Sequence, residues 1–206
     1  MTASADVLWD QSNVDAAVNA IVDQEFGDFP DYSSYMVDDV TVGGPGWNIT
    51  KITVYFTDNP AWVGNHMGRL NIFDNPGGFP AEPGNSGEMV DVTIGYGAYG
   101  LEVVANVDID LAPGNYYIGL TPILDFGTYG QAFHQAAPIQ GTNTLWQNPG
   151  GAFGYGTDWT YAYVLDSTFV WQDNYDMAIL IEGTAVPAPG ALALLGLAGL
   201  VGRRRR

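Results

Sequence analysis

The chain has 206 residues, and 23 acidic against 6 basic side chains give it a formal net charge of -17 and a pI near 4.1, which excludes nucleic acid as a ready partner. Four of the six basic residues are Arg203 to Arg206, so the rest of the chain sets every acid against Lys51 and Arg69 alone. Cysteine is absent and only His66 and His134 supply imidazole, which removes disulfides, thiolate zinc sites, iron–sulfur clusters and cysteine nucleophiles together.

Met1 to Ala5 holds no charged or apolar leader segment, but Ala3-Ser4-Ala5 has the small-x-small pattern that precedes signal-peptidase cleavage. Residues 1–5 therefore read as the remnant of a leader or as an unstructured start. From residue 6 to 184, apolar and polar residues alternate over short runs bounded by Gly, Pro, Asn and Asp, the pattern of many short strands. Strands are expected at Val7 to Asp10, Ala20 to Phe26 and Tyr35 to Val42. Only Val14 to Val22 shows a helical stripe, through Val14, Ala17, Val18, Ile21 and Val22, enough for one or two turns. In Thr50 to Phe56, Ile52, Val54 and Phe56 share one face while Lys51, Thr53 and Tyr55 take the other. Further strands are expected at Arg69 to Phe73 and around Val90, Val92 and Ile94. The longest alternation sets Leu101, Val103, Ala105, Val107 and Ile109 against Glu102, Asn106, Asp108 and Asp110. Pro113-Gly114 then supplies a tight turn, and Tyr116, Ile118 and Leu120 continue as a hairpin partner. Tyr161, Tyr163 and Leu165 alternate near the end, as do Met177, Ile179 and Ile181. About ten strands without a fixed repeat predict an all-β sandwich.

The densest polar feature is Asp28, Asp31, Asp38 and Asp39, joined by Asp173 and Asp176 ahead of the last strand. Calcium takes six to eight oxygens, and a structural site using Asp39 or Asp176 is one reading if the first and last strands pair; a solvated acidic surface explains the same residues without an ion. Trp62, Trp146, Trp159 and Trp171 fall in or beside loops, where exposed rings stack on sugar faces and buried ones plug the ends of a sandwich. Trp146 with Gln147 and Asn148 is the best-placed sugar-binding set. The two histidines read as locally bonded loop residues, no Gly-x-Ser-x-Gly is present, and no catalytic residue is assigned.

The C-terminal stretch breaks with this composition: Val186-Pro187-Ala188-Pro189-Gly190, an uncharged apolar run from Ala191 to Val201, then Gly202 and Arg203, Arg204, Arg205 and Arg206. As a helix the apolar run spans about 16 Å at ~1.5 Å per residue, and the terminal arginines favour the cytoplasmic side of a bilayer. This tail resembles the PEP-CTERM sorting signal of bacteria, with Ala188 in the place of the glutamate. The resemblance implies a short membrane-inserting helix over residues 185–206. It also implies processing near Pro187 to Gly190 by an exosortase-type membrane transpeptidase and export to the cell surface. The body is similar to β-sandwich passengers of that family at Leu8-Trp9-Asp10-Gln11-Ser12, Val37-Asp38-Asp39-Val40, Trp47-Asn48-Ile49-Thr50, Leu111-Ala112-Pro113-Gly114-Asn115-Tyr116-Tyr117 and Asp176-Met177-Ala178-Ile179. That likeness implies a jelly-roll-like sandwich and no reaction. The reading is of a non-catalytic exported surface or matrix protein. A carbohydrate-binding module using loop aromatics is the alternative, and a glycan hydrolase with paired carboxylates a more distant one.

Overall fold

Alternation becomes strand through most of the chain in the computed structural model, which describes residues 5–75, 77–164 and 175–186. The strands are β1 (Asp6–Gln11), β2 (Ile21–Val22), β3 (Tyr35–Val42), β4 (Trp47–Phe56), β5 (Gly64–Asp74), β6 (Glu88–Gly97) and β7 (Gly100–Leu111). They continue as β8 (Gly114–Ile123), β9 (Phe133–His134), β10 (Ala136–Pro138), β11 (Leu145–Gln147), β12 (Thr160–Tyr161), β13 (Tyr175–Met177) and β14 (Ile179–Ala185). One helical turn, α1 (Phe126–Tyr129), interrupts them. Ten strands follow one another as neighbours in the order β1-β14-β4-β7-β6-β5-β8-β3-β11-β12; β9 joins β4 and β2, and β10 pairs β13 separately. The expected pairing of the first and last strands is present, with Asp6 opposite Gly183.

The sheet curls on itself because its apolar face has nothing else to cover it. Ile49, Ile52, Val54 and Phe56 of β4 share one core with Met36 and Val40 of β3, Leu70 of β5 and Ile118 and Leu120 of β8, strands that stand well apart in the order. Each fully buried side chain of this size contributes about 1.5–3 kcal/mol relative to exposure. Successive residues of a strand face opposite ways, so Tyr35 and Val37 of β3 leave that core and join Phe73, Tyr117, Leu145 and Trp159 in a second cluster.

One break in the sheet matters later. β6 and β7 are paired only from the hairpin, at Gly97↔Gly100, to Val92↔Ala105. Gly100 has φ +128°, and a Cβ there would strike the Phe56 carbonyl, so the hairpin needs glycine at this point. Beyond Ala105 the register of β7 on β4 slips between Ile49 and Lys51, a bulge that turns β7 aside. Asn106–Leu111 stays with β4, Glu88–Asp91 stays with β5, and the sheet forks between them.

Several expectations are corrected. Val14 to Val22 forms no helix: Asp15 Oδ1 accepts from Ala17 N and the Asp15 carbonyl from Val18 N, closing a turn that sends Val14 and Ile21 into separate clusters. Ala20 to Phe26 reduces to β2 and two isolated bridges, at Gln24 and Glu25. β9, β10 and β11 were not anticipated, and the expected last strand through Met177, Ile179 and Ile181 divides at Ala178 into β13 and β14, so the described residues hold fourteen strands rather than about ten. Tyr163 lies in a 3-10 turn after β12. Leu165, Trp171, Asp173, residues 1–4 and the apolar helix expected in the tail lie outside the described residues.

Candidate functional site

Two groups of buried ionisable residues sit inside the β structure. The first was partly anticipated. Asp38 shares its face of β3 with Met36, Val40 and Val42 and is fully buried, as is Asp176 on β13. Asp38 Oδ2 accepts from Gln11 Nε2 at 2.7 Å and Oδ1 from Asp39 N at 3.0 Å. The Gln11 amide is held in turn by Trp9, whose Nε1 donates to Oε1 at 2.6 Å. Asp176 accepts from Gln140 N and Thr144 N at 2.8 and 2.9 Å, and Asp39 Oδ1 accepts from both Thr142 N and its hydroxyl. Burial, then the charges of Asp176 and Asp39, push the Asp38 carboxyl well above the usual carboxylate range. Burial pushes Asp176 up to about 7 despite its N–H donors, and Asp39 adds to that rise.

Asp39 and Asp176, the residues named for calcium, both anchor the 140–144 loop. Among the described residues no group of three or more His, Cys, Asp or Glu side chains is arranged to hold a metal ion.

The second group was missed. His134 on β9 is fully buried, and its Nδ1 lies 2.8 Å from Asp23 Oδ2. Thr121 Oγ1 donates to the other oxygen of Asp23 at 2.6 Å. His134 Nε2 lies 3.0 Å from the Ala178 carbonyl, which only accepts, so that nitrogen carries a proton. The remaining proton is shared between Nδ1 and Asp23, and the pair is neutral as a unit whichever partner holds it. His134 is therefore not the locally bonded loop residue expected; its partners lie 111 and 44 residues away in the chain. His66 does bond locally, Nε2 to the Trp62 carbonyl at 2.9 Å, but it stands on β5.

Trp146, Gln147 and Asn148 do not face a ligand. Trp146 is 1% exposed, its Nε1 donates to the Val22 carbonyl at 2.8 Å, and Gly156 packs so closely on the ring that no side chain fits there. Gln147 accepts from Gly84 N and donates to the Thr157 carbonyl; Asn148 Nδ2 donates to the carbonyls of Asp31 and Ser33. Every side-chain polar group of the three is consumed in holding loops together. Trp62 and Trp159 are buried as well, so these rings pack into the β body rather than stand on its surface.

Exposed aromatic surface gathers elsewhere. Phe29, Tyr32 and Phe126 are 49%, 46% and 48% exposed and, with Phe26, Phe153 and Gln131, line a pocket of about 320 Å³. Phe126 meets Phe26 and Phe29 edge-on at 6.2 Å, and Tyr32 meets Phe153 the same way at 5.4 Å. Asp28 sets Phe126 in place by accepting from Phe126 N and Gly127 N. The sequence signal was available in Phe26, Phe29 and Tyr32, three rings at spacing three in a run of Gly, Asp and Pro that marks a loop.

Pro187, Ala188, Pro189, Gly190 and the four terminal arginines lie outside the described residues. No protein-family model matches the chain, and no curated protein or solved structure matches it either.

Proposed function

We propose that this chain is a non-catalytic, exported surface or extracellular-matrix protein whose jelly-roll-like body is delivered by an exosortase-type transpeptidase acting at Pro187 to Gly190. The observation that carries the reading is the position of β14: it pairs with β1 and β4 and ends at Ala185, two residues ahead of Pro187. A cut at the proline motif falls beyond the last described strand and leaves β14 whole. The absence of a catalytic assignment is supported by His134, sealed between Asp23 and Ala178, and by His66, whose Nε2 is taken by Trp62. The test is to express the gene with and without Pro187 to Arg206 in a host that carries the transpeptidase and to fractionate the cells. Surface delivery of the long form alone is expected, and equal delivery of both forms removes the assignment.

A second reading is favoured by the aromatic pocket. Rings at Phe29, Tyr32 and Phe126 present faces and edges to solvent, and the Tyr32 hydroxyl and Gln131 amide supply polar partners for a sugar. Affinity electrophoresis against a panel of soluble polysaccharides checks it. Retardation by one glycan that is lost in Phe126→Ala and Tyr32→Ala supports a carbohydrate module; identical migration of all three proteins rejects it.

A further inference from the structure

A strand edge without a neighbour offers a row of N–H and C=O groups, and what matches that row is another backbone. The fork in the sheet leaves two such edges facing one another, Glu88–Asp91 of β6 and Asn106–Leu111 of β7. β5 prolongs the first side, because Asn71 to Asp74 run past the last β6 partner while still paired to β8. At the wide end of the fork lies a groove of about 900 Å³ lined on its apolar side by Leu70, Ile72, Phe73, Ile109 and Leu111.

The charge of the groove is one-sided. Asp74, Glu82 and Glu88 line it together with Asp108 and Asp110, both of which accept from Asn48 Nδ2. No lysine or arginine lies among the lining residues. The two cations of the described body are committed elsewhere, Lys51 to Glu182 and Arg69 to Glu25. A free divalent ion is a poor match, since no three acids converge among the described residues. A sugar has no amide spacing to satisfy a strand edge.

We propose that the fork is a strand-addition site for an extended, basic polypeptide segment of another protein. Six residues of β7 edge, about 20 Å at ~3.3 Å per residue, accept a partner of similar length. Because side chains alternate along a strand, that partner sets apolar residues toward Leu70, Ile72 and Ile109 and lysine or arginine toward the acidic rim. The site is independent of the export reading and of the aromatic pocket.

The probe is a capped seven-residue peptide alternating valine and lysine, titrated calorimetrically into the full chain at low salt and followed by amide hydrogen exchange. The expected result is binding that slows exchange at least ten-fold within residues 88–91 or 106–111. N-methylation of alternate peptide bonds, which keeps the charge and deletes donors, weakens that binding at least ten-fold. The exposed double variant Glu88→Lys with Asp110→Lys weakens it similarly while keeping the parent far-UV spectrum. Equal affinity for the N-methylated peptide, protection confined to other segments, or no heat up to millimolar peptide each overturns the proposal.

Discussion

The two buried polar groups answer one physical problem in opposite ways. At Asp23 the cost of burying a carboxyl is offset by an imidazole, a hydroxyl and a shared proton, so the unit is neutral and bonded on every side. At Asp38 and Asp176 two buried carboxyls lie within each other's field, beside a third, with amide and hydroxyl donors but no cation. Burial alone therefore does not decide how a carboxyl behaves. Burial raises all three carboxyls, but at Asp23 the imidazole and the hydroxyl oppose that rise, whereas at Asp38 and Asp176 the neighbouring acids add to it.

The largest expected effect tests the neutral unit. Asp23→Ala leaves His134 Nδ1 and the Thr121 hydroxyl buried without a partner and is expected to cost about 3–5 kcal/mol in urea unfolding. A cost below about 1 kcal/mol breaks the contrast. Next comes pH. The folded Asp176 carboxyl holds its proton up to about 7, against an ordinary value of 3.8. The native state therefore binds more protons between those values, and the contribution is complete below 3.8 and lost as pH rises through about 7. Lowering pH from 8 to 5 is expected to raise unfolding free energy by on the order of 2–4 kcal/mol, and Asp176→Asn to flatten that slope. A slope unchanged by the substitution moves the effect from Asp176 to Asp38 or to surface charge. Thr121→Val removes one donor to Asp23 and is expected to cost about 1.5 kcal/mol, measured as the urea midpoint at fixed m-value. Smallest is Thr142→Ala: Asp39 keeps the Thr142 backbone donor, so a loss of about 0.5 kcal/mol is expected in the same assay.

How far the sequence reached follows from the length of each pattern. β4 and β7 are long enough for alternation to be seen: one face of each meets the core, while the other is open along β7 and is covered at Thr53 and Tyr55 of β4, where Tyr55 joins a separate small cluster. β9, β10 and β11 have two or three residues, too few for a period of two to register, and they exist because long strands hold loops beside them. The Asp23–His134 pair left no local trace. Asp38 did leave one: in Tyr35 to Val42 it falls in step with Met36, Val40 and Val42, so the alternation itself puts an acid on an apolar face. Trp146 misled because loop position was read as exposure, although its indole N–H finds a carbonyl 124 residues away in the chain.

The corner where Asp6 meets Gly183 also decides how the body bears tension. Sheet hydrogen bonds lie across the strand axis. A pull applied beyond Val186 therefore runs along β14 and shears its ladders to β1 and β4 together, so the load is spread over many bonds. A pull shared between Asp6 and Val186 opens the same β1–β14 ladder one rung at a time from that corner. The fold is stiff when held by one end and yields as a zipper when stretched between both.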